Sequence, residues 1–264
     1  MATSRRTVGV ESARKVLQLL LSFDAARPRA AVGDLARAAG LPLSSAYRLL
    51  ALLREQGLVE EAGGGRYRVT PRVHALARAA DAASPLMAAA QPVLARLAAE
   101  TGATAVLFRI FGDAAMPVAA VEPRRPAHLS GVSGRSFPLH TGAPCKLLLA
   151  ALPATLRAAY LDRIERADPA QRALRREREA ELALIRQRGY AESFGEVDPG
   201  IYAIAAPVVV RRRTIASVWA ALPARRVDPA RRAALREATR AAGHALSKRL
   251  SVPPDPGQAA RARY

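Results

Sequence analysis

Three polar side chains with the chemistry to contact a polyanion recur on one face of a short predicted helix. Ser44, Tyr47 and Arg48 are three and four residues apart, and Ser45 adjoins them, so they are neighbours on a helical surface. Hydroxyls beside helix-end amides bind phosphate oxygens, and a guanidinium bonds guanine or a phosphate. This face therefore predicts contact with nucleic acid.

The helix that carries these residues is the second of a predicted helix-turn-helix. Its other side bears an apolar stripe of Ala46, Leu49, Leu50 and Leu53, which must face a core. A short helix precedes it and closes at Gly40, where a turn needs a permissive backbone. In such a motif the second helix presents its first turns to the major groove of DNA.

A glycine-rich hairpin follows the helix pair. Two short strands are predicted at Leu58–Glu61 and Arg66–Val69, around three consecutive glycines. Arg66 and Arg68 flank the flexible tip. This arrangement is typical of a wing that holds DNA phosphates.

The composition agrees with a polyanion partner but does not prove one. The chain has 41 basic and 22 acidic residues and a formal net charge of +19, nearly all of the positive charge being arginine. The excess is spread along the chain. A nonspecific, arginine-driven architectural DNA-binding protein is therefore the alternative to a sequence-specific one.

Catalytic, metal-binding and membrane patterns are not found in the sequence. Cys145 is the only cysteine, so no disulfide can form within the chain, and it is interpreted as a small buried hydrophobe. The histidines are scattered without metal-ligand spacing, at His74, His128, His140 and His244. We predict no enzyme activity, no metal and no cofactor. No apolar run reaches membrane-spanning length, so we expect no membrane-spanning helix. The single cysteine fits a reducing compartment, and we expect a cytoplasmic protein.

The hydrophobic pattern divides the chain into four parts. We predict a winged helix-turn-helix over residues 1–70, a connector helix over 71–84, a larger domain over 85–252 and a disordered tail over 253–264. The first helix is expected to bury a stripe listed as Ala13, Val16, Leu17, Leu20 and Leu21.

Three separated segments, in the same order, resemble the IclR family of transcription regulators. Val32–Val59 and Gly65–Val69 resemble its winged helix-turn-helix. Phe137–Ala150, containing PLHTGAPCKLLLA, resembles a second family segment, and RQRGYA at 186–191 leads into a third, with Gly195-Glu196, Gly200 and IAAPV at 204–208. The resemblance covers roughly residues 8–250.

The resemblance implies an α+β protein whose C-terminal domain binds an effector. That domain would be a GAF- or profilin-like antiparallel sheet with flanking helices, and the protein would form a homodimer or a tetramer on a double-stranded DNA operator. The small-molecule pocket would be lined by residues at eight positions: Gly142, Ala143, Pro144, Ser193, Glu196, Ala203, Trp219 and Ala221.

Several of these positions depart from the family pattern. Cys145 stands where the family has glycine before the lysine, and Ala203 stands where it often has cysteine. The late strand lacks two serines and contains Trp219 instead, which either packs in the core or forms a ligand platform. Because buried hydroxyl donors are lost, we expect an apolar or aromatic effector, or a shrunken pocket that takes none. Leu43 replaces a common lysine, which removes one phosphate contact.

Two charged stretches are interpreted as solvated surface. Glu177, Glu179 and Glu181 alternate with arginines on a predicted helix and are expected to form exposed charge pairs. Arg211–Arg213 is expected to form a turn between two strands.

Overall fold

A computed structural model describes residues 9–23, 28–82, 84–123, 129 and 135–251. The predicted basic arm at the N-terminus and the predicted tail over 253–264 lie outside these residues. The chain divides into two compact units, Met1–Ser84 and Pro85–Tyr264.

The first unit combines a helical bundle with a small sheet. Its helices are α1 (Glu11–Leu20), α2 (Val32–Ala38), α3 (Leu43–Glu55) and α4 (Arg72–Ala82). Its strands are β1 (Ala30–Ala31), β2 (Val59–Glu61) and β3 (Arg66–Val69), in the antiparallel order β1-β3-β2. The sequence predicted β2 and β3 but not the two-residue β1.

The core of this unit lies between its first three helices. Ala46, Leu50 and Leu53 of α3 are buried, as the stripe predicted, and Leu49 is half-buried. The stripe predicted for α1 was wrong in part. Leu19 is fully buried, whereas Leu17 and Leu21 are 58% and 79% exposed, because the face that meets α2 and α3 runs through Val16, Leu19 and Leu20.

The second unit alternates helices with the strands of one sheet. Its helices are α5 (Pro85–Thr101), α6 (Ala143–Ala151), α7 (Ala154–Ala167), α8 (Ala170–Ala173), α9 (Arg175–Arg188) and α10 (Pro229–Ser251). Its strands are β4 (Thr104–Phe111), β5 (Ala114–Val121), β6 (Phe137–Pro138), β7 (Ala191–Phe194), β8 (Ile201–Val210) and β9 (Arg213–Pro223).

All neighbouring strands of this sheet are antiparallel, in the order β6-β5-β4-β9-β8-β7. The central strand β9 pairs with β4 on one side and with β8 on the other, and Trp219 lies opposite Val106 and Ala205. The α+β architecture with an antiparallel sheet is the one predicted.

Side-chain alternation along the strands separates two hydrophobic clusters. Trp219 and Ala221 of β9 join the cluster that includes α6, α7 and α9. Val218 and Ala220 join the cluster that includes α5 and α10. The sheet is therefore covered by helices on both faces, and each face has its own core.

Helix α10 approaches β8 closely at one glycine. A Cβ atom added to Gly243 would lie 2.6 Å from the carbonyl oxygen of Pro207, a distance that real Cβ atoms do not adopt. The side-chain carboxylate of Asp228 accepts a 2.7 Å hydrogen bond from the backbone N–H of Arg231, which caps the start of α10.

Two features of the second unit differ from the sequence prediction. The helix predicted over Ala170–Arg188 is interrupted at Leu174, and Arg175 then contacts Asp162 and Glu165 of α7. These ion pairs join the start of α9 to α7, and Arg178 of α9 also donates a hydrogen bond to Gln171 of α8. The two-residue strand β6 was not predicted, because its extended conformation depends on pairing with β5.

Candidate functional site

The helix-turn-helix holds α3 by its apolar face. Gly40 adopts a left-handed φ of +63°, and the N–H of Leu41 donates to the carbonyl of Ala36 at 2.8 Å, which closes the turn. The fully buried Ala46 and Leu50 then fix the rotation of α3 about its axis. The opposite face of α3 is left toward solvent.

That exposed face carries the residues predicted to contact DNA. Ser44, Tyr47 and Arg48 are exposed, and Ser45 is half-buried at the edge of the face. Within the described chain, the side chains of Ser44, Tyr47 and Arg48 make no hydrogen bond or ion pair. Pro42 precedes α3 and provides no side-chain cap, so the first amides of the helix keep their donor capacity.

The β2–β3 hairpin follows this helix pair in the sequence. All three tip glycines, Gly63 to Gly65, have left-handed backbone conformations that other residues rarely adopt. Arg66 is exposed, and its Nη1 lies 3.5 Å from the carbonyl of Arg29. Arg68, however, donates from Nε to Glu60 at 2.6 Å across the hairpin. The sequence analysis missed this cross-strand ion pair.

A second candidate site is a cavity beneath the N-terminus of α6. Seven of the eight predicted effector residues line it: Gly142, Ala143, Pro144, Ser193, Glu196, Ala203 and Trp219. It has a volume of about 30 Å³, room for about one or two water molecules. Whether these residues bind an effector stays a prediction.

Ala221 does not line this cavity, in contrast to its predicted position. It lies two residues beyond Trp219 on the same face of β9 and is 1% exposed within the hydrophobic cluster. The alternation of β9 was therefore correct, but the cavity ends before the strand reaches Ala221.

Two backbone donors at the start of α6 are already paired. The N–H of Gly142 donates to Glu196 Oε2 at 3.0 Å, and the N–H of Ala143 donates to Ser193 Oγ at 3.1 Å. Pro144 has no N–H. Gly142 itself has φ +77°, and a Cβ there would meet Val197 at 3.2 Å.

Glu196 belongs to a charge triad centred on a buried lysine. Lys146 is a buried residue whose Nζ donates to Glu181 at 2.6 Å and to Glu196 at 2.7 Å. The prediction that Glu181 forms an exposed charge pair was wrong, because its partner is a buried lysine 35 residues away. One ammonium here faces two carboxylates.

Aromatic rings form part of the cavity wall. Phe108 packs edge to face against Phe137, with ring centroids 6.0 Å apart, and against Trp219 at 5.8 Å. Trp219 is 5% exposed, so it serves both the core and the cavity lining. The sequence analysis missed Phe108 and Phe137, although Phe108 could be placed on the inner face of β4 from its period of two.

Cys145 also lines the cavity, and it is buried as predicted. Burial, and then the nearby charge of Glu196, raise the pKa of its thiol to about 12. His140 has its Nδ1 2.8 Å from the hydroxyl of Tyr160. Burial, followed by the charge of Arg178, lowers the pKa of His140. The thiol is therefore protonated at neutral pH and is a poor nucleophile.

Among the described residues, no group of three or more His, Cys, Asp or Glu side chains is arranged to hold a metal ion. No described helix is both long and apolar enough to cross a membrane.

Two family descriptions match the chain. Residues 12–63 match the IclR helix-turn-helix domain, and residues 79–248 match the bacterial transcriptional regulator IclR C-terminal domain. The chain belongs to the IclR family of bacterial transcriptional regulators. The first match contains α3, and the second contains the cavity beneath α6.

Curated members of the IclR family align over most of the chain. It is 28% identical over 248 residues to the HTH-type transcriptional regulator XynR of Escherichia coli (strain K12), covering 92% of this chain and 98% of that protein. It is 31% identical over 217 residues to the probable transcriptional regulator SauR of Cupriavidus necator, covering 81% and 85%.

Solved structures of IclR regulators share the fold. A putative regulator from Silicibacter sp. TM1040 has a TM-score of 0.74 and 27% identity, covering 93% of this chain and 98% of that one. An IclR homologue from Microbacterium hydrocarbonoxydans has a TM-score of 0.72 and 21% identity, covering 91% and 99%.

Proposed function

We propose that this IclR-family regulator reads a DNA operator with the exposed face of α3. The observation that carries this proposal is that Ser44, Tyr47 and Arg48 project from α3 without partners of their own in the described chain. Hydroxyl, phenol and guanidinium groups suit base edges and phosphates in the major groove. Arg66 and the hairpin tip would contact the flanking phosphates, and Arg68 would do so after leaving Glu60.

The test is binding of the purified protein to DNA from beside its own gene. Scrambled DNA of equal length and composition is the control, and both are titrated across a salt series. We expect a preference of roughly a thousandfold or more near physiological salt. Equal binding to both DNAs, lost together as salt rises, would instead favour the architectural alternative.

We infer that a small apolar or aromatic molecule in the cavity beneath α6 modulates operator binding. Phe108, Phe137 and Trp219 supply an aromatic wall, and Ala203 is apolar. The Microbacterium homologue was solved with 4-hydroxybenzoate, which is also aromatic. Since the cavity holds only about 30 Å³, binding of such a molecule requires the lining to move. A collapsed cavity that takes no effector is the alternative.

We propose that the protein acts as a homodimer or a dimer of dimers. Leu17 and Leu21 of α1 are exposed, and Leu76 of α4 is 62% exposed. Large apolar side chains at the surface favour burial against another copy. Two copies of α3, one from each subunit, would match the two halves of a near-palindromic operator. Sedimentation velocity should give a mass of at least two chains, and a monomer at micromolar concentration would contradict the proposal.

We further propose that α4, the connector predicted over residues 71–84, couples ligand binding in the cavity to operator binding by α3. A ligand that favours one of two placements of α3 would change operator affinity through it. We infer regulation rather than catalysis, because the Cys145 thiol stays protonated and His140 faces Tyr160. Action in the cytoplasm, on chromosomal operators, follows from this role.

A further inference from the structure

We infer that one end of the second unit is a second DNA contact, which binds phosphates outside the base pairs read by α3. This basic end consists of Arg211, Arg212 and Arg213 at the turn between β8 and β9, together with Lys248 and Arg249 near the end of α10. The inference rests on the proposed operator binding and adds a second protein surface to it.

The turn between β8 and β9 holds two arginines in a backbone conformation that arginine rarely adopts. Val210 pairs with Arg213, so the turn consists of only two residues, Arg211 and Arg212. Both are left-handed, with φ of +49° and +62°. Two-residue hairpin turns of this kind favour asparagine and glycine, because a Cβ atom disfavours positive φ. A turn that keeps arginine at both positions despite this cost points to a binding role for their side chains.

The last turns of α10 lie beside the end of β8 that leads into this turn. The backbone N–H of Val209 donates to the hydroxyl oxygen of Ser247 at 2.8 Å. Lys248 and Arg249 follow Ser247 directly and are exposed, as are the three arginines of the turn. Five basic side chains are therefore gathered at one end of the unit.

The elements that form the basic end do not neutralise these charges. Neither β8 nor β9 contains an aspartate or a glutamate, and the nearest acid before Lys248 on α10 is Glu237, which contacts Arg236 and Arg240. Asp113, after β4 at the same end of the sheet, pairs with Arg163 at 2.9 Å. Within the described residues, the five basic side chains make no hydrogen bond or ion pair of their own. They are therefore available to a polyanion.

The chain also enters the second unit at its basic end. Arg231, at the start of α10, donates to the carbonyl of Thr101, at the end of α5, at 3.0 Å. Because α5 and α10 pack along each other in one hydrophobic cluster, they run antiparallel, and α5 begins where α10 ends. Pro85 opens both α5 and the second unit, so the segment that follows the DNA-binding unit arrives here. Double-stranded DNA is therefore the polyanion that suits this end, since guanidinium groups match phosphate geometry.

The experiment measures binding of the full-length protein to two duplexes. One contains only the operator base pairs at which a substitution changes affinity, and the other adds about two helical turns of flanking DNA on each side. We expect the flanks to raise the affinity of the wild type about tenfold or more near physiological salt, because they supply additional phosphate contacts.

A triple variant removes the charges of the turn. Replacing Arg211, Arg212 and Arg213 together by glutamine should abolish the gain from the flanks. The magnitude of the slope of log affinity against log salt on the long duplex should fall by about three, since roughly one counterion is released per phosphate contact. The preference for operator over scrambled DNA in the short duplex should not change, because α3 is intact.

A matched triple variant controls for net charge. Replacing Arg172, Arg176 and Arg186 together by glutamine removes the same charge from exposed positions on α8 and α9. This variant should keep the gain from the flanks. If both triple variants lose the gain to the same extent, the effect comes from overall charge and the inference is wrong.

A double variant separates binding from folding. Arg211→Asn combined with Arg212→Gly places the residues that two-residue turns favour at the tip, so the urea midpoint should rise. The gain from the flanks should nevertheless fall. A loss of binding in a more stable protein cannot result from misfolding.

The remaining outcomes distinguish this inference from the proposed function. If the wild type gains nothing from the flanks, or the triple variant of the turn keeps the full gain, the inference is wrong. An acidic protein then becomes the candidate partner of the basic end, and operator reading by α3 stands. If the wild type shows no operator preference, the proposed function is wrong. The two triple variants are then compared on scrambled DNA, where equal affinity overturns the inference as well.

Discussion

At the scale of single residues, Arg48 is the side chain whose removal most directly tests DNA reading. We expect Arg48→Ala to lower operator affinity by about 1–3 kcal/mol and to relax the preference at one base pair. The reason is that a guanidinium on the first turns of α3 can bond a base edge bidentately. Quantitative mobility shifts on operators substituted at each position provide the measurement.

Arg54 provides the matched control, because it lies in the last turn of the same helix and is also exposed. Arg54→Ala should change affinity on all sequences alike. If Arg48→Ala also weakens binding equally on every sequence, Arg48 contacts phosphate only.

The single thiol gives a second prediction at this scale, on pH dependence. Because the folded protein raises the Cys145 pKa from 9.0 to about 12, the unfolded chain ionises first as the pH rises. The contribution of this group to stability is therefore complete below pH 9 and lost between about pH 9 and 12. Urea midpoints should fall over this range by more in the wild type than in Cys145→Ala.

Comparing the wild type with Cys145→Ala controls for tyrosines, which titrate equally in both proteins.

The native protein should also react with a thiol reagent at pH 8 far more slowly than the urea-unfolded protein. Rapid modification of the native thiol would mean that Cys145 is accessible and less perturbed than the structure indicates.

At the scale of elements, the contact between α10 and β8 permits no side chain at position 243. Gly243→Ala should destabilise the second unit by about 1–3 kcal/mol, since the methyl group would force the helix from the Pro207 carbonyl. Urea unfolding followed by Trp219 emission measures this loss of stability.

Gly33→Ala is the counterpart in α2, where nothing lies within 4 Å of a Cβ and alanine favours the helix. There we expect a gain of about 0.5–1 kcal/mol, measured by circular dichroism.

Elements with strong local signals were predictable from sequence. The stripe of Ala46, Leu50 and Leu53 marked the buried face of α3, and Gly63 to Gly65 marked the hairpin tip. Short strands such as β1 and β6 were not predictable, because two residues carry no periodicity and depend on a distant partner. Contacts between residues that are distant in the sequence were missed for the same reason. Glu181 looks like surface charge until α9 is placed beside Lys146.

The candidate sites were predictable to different degrees. The exposed face of α3 follows from helical spacing alone. The cavity residues came from the family resemblance, and seven of the eight line one space. Neither source could indicate that Glu196 and Ser193 already occupy the amides of α6, because those hydrogen bonds join residues 54 and 50 positions apart.

At the scale of the whole molecule, the two compact units make a prediction about truncation. A fragment of residues 85–251 contains both hydrophobic clusters of the sheet and should fold alone. It should keep the emission response of Trp219 to any ligand of the full-length protein, and it should lose operator preference. A fragment that is soluble but has the Trp219 emission of an unfolded chain would contradict this expectation.

The alternation of the central strand β9 also bears on how this regulator can evolve. Trp219 and its β8 neighbour Ala205 face one core, while Val218 and Ala220 face the other. Substitutions that reshape the cavity therefore leave the packing of α5 and α10 untouched. Evolution can thus vary the cavity lining at alternate positions of β9 without replacing a side chain of the other core.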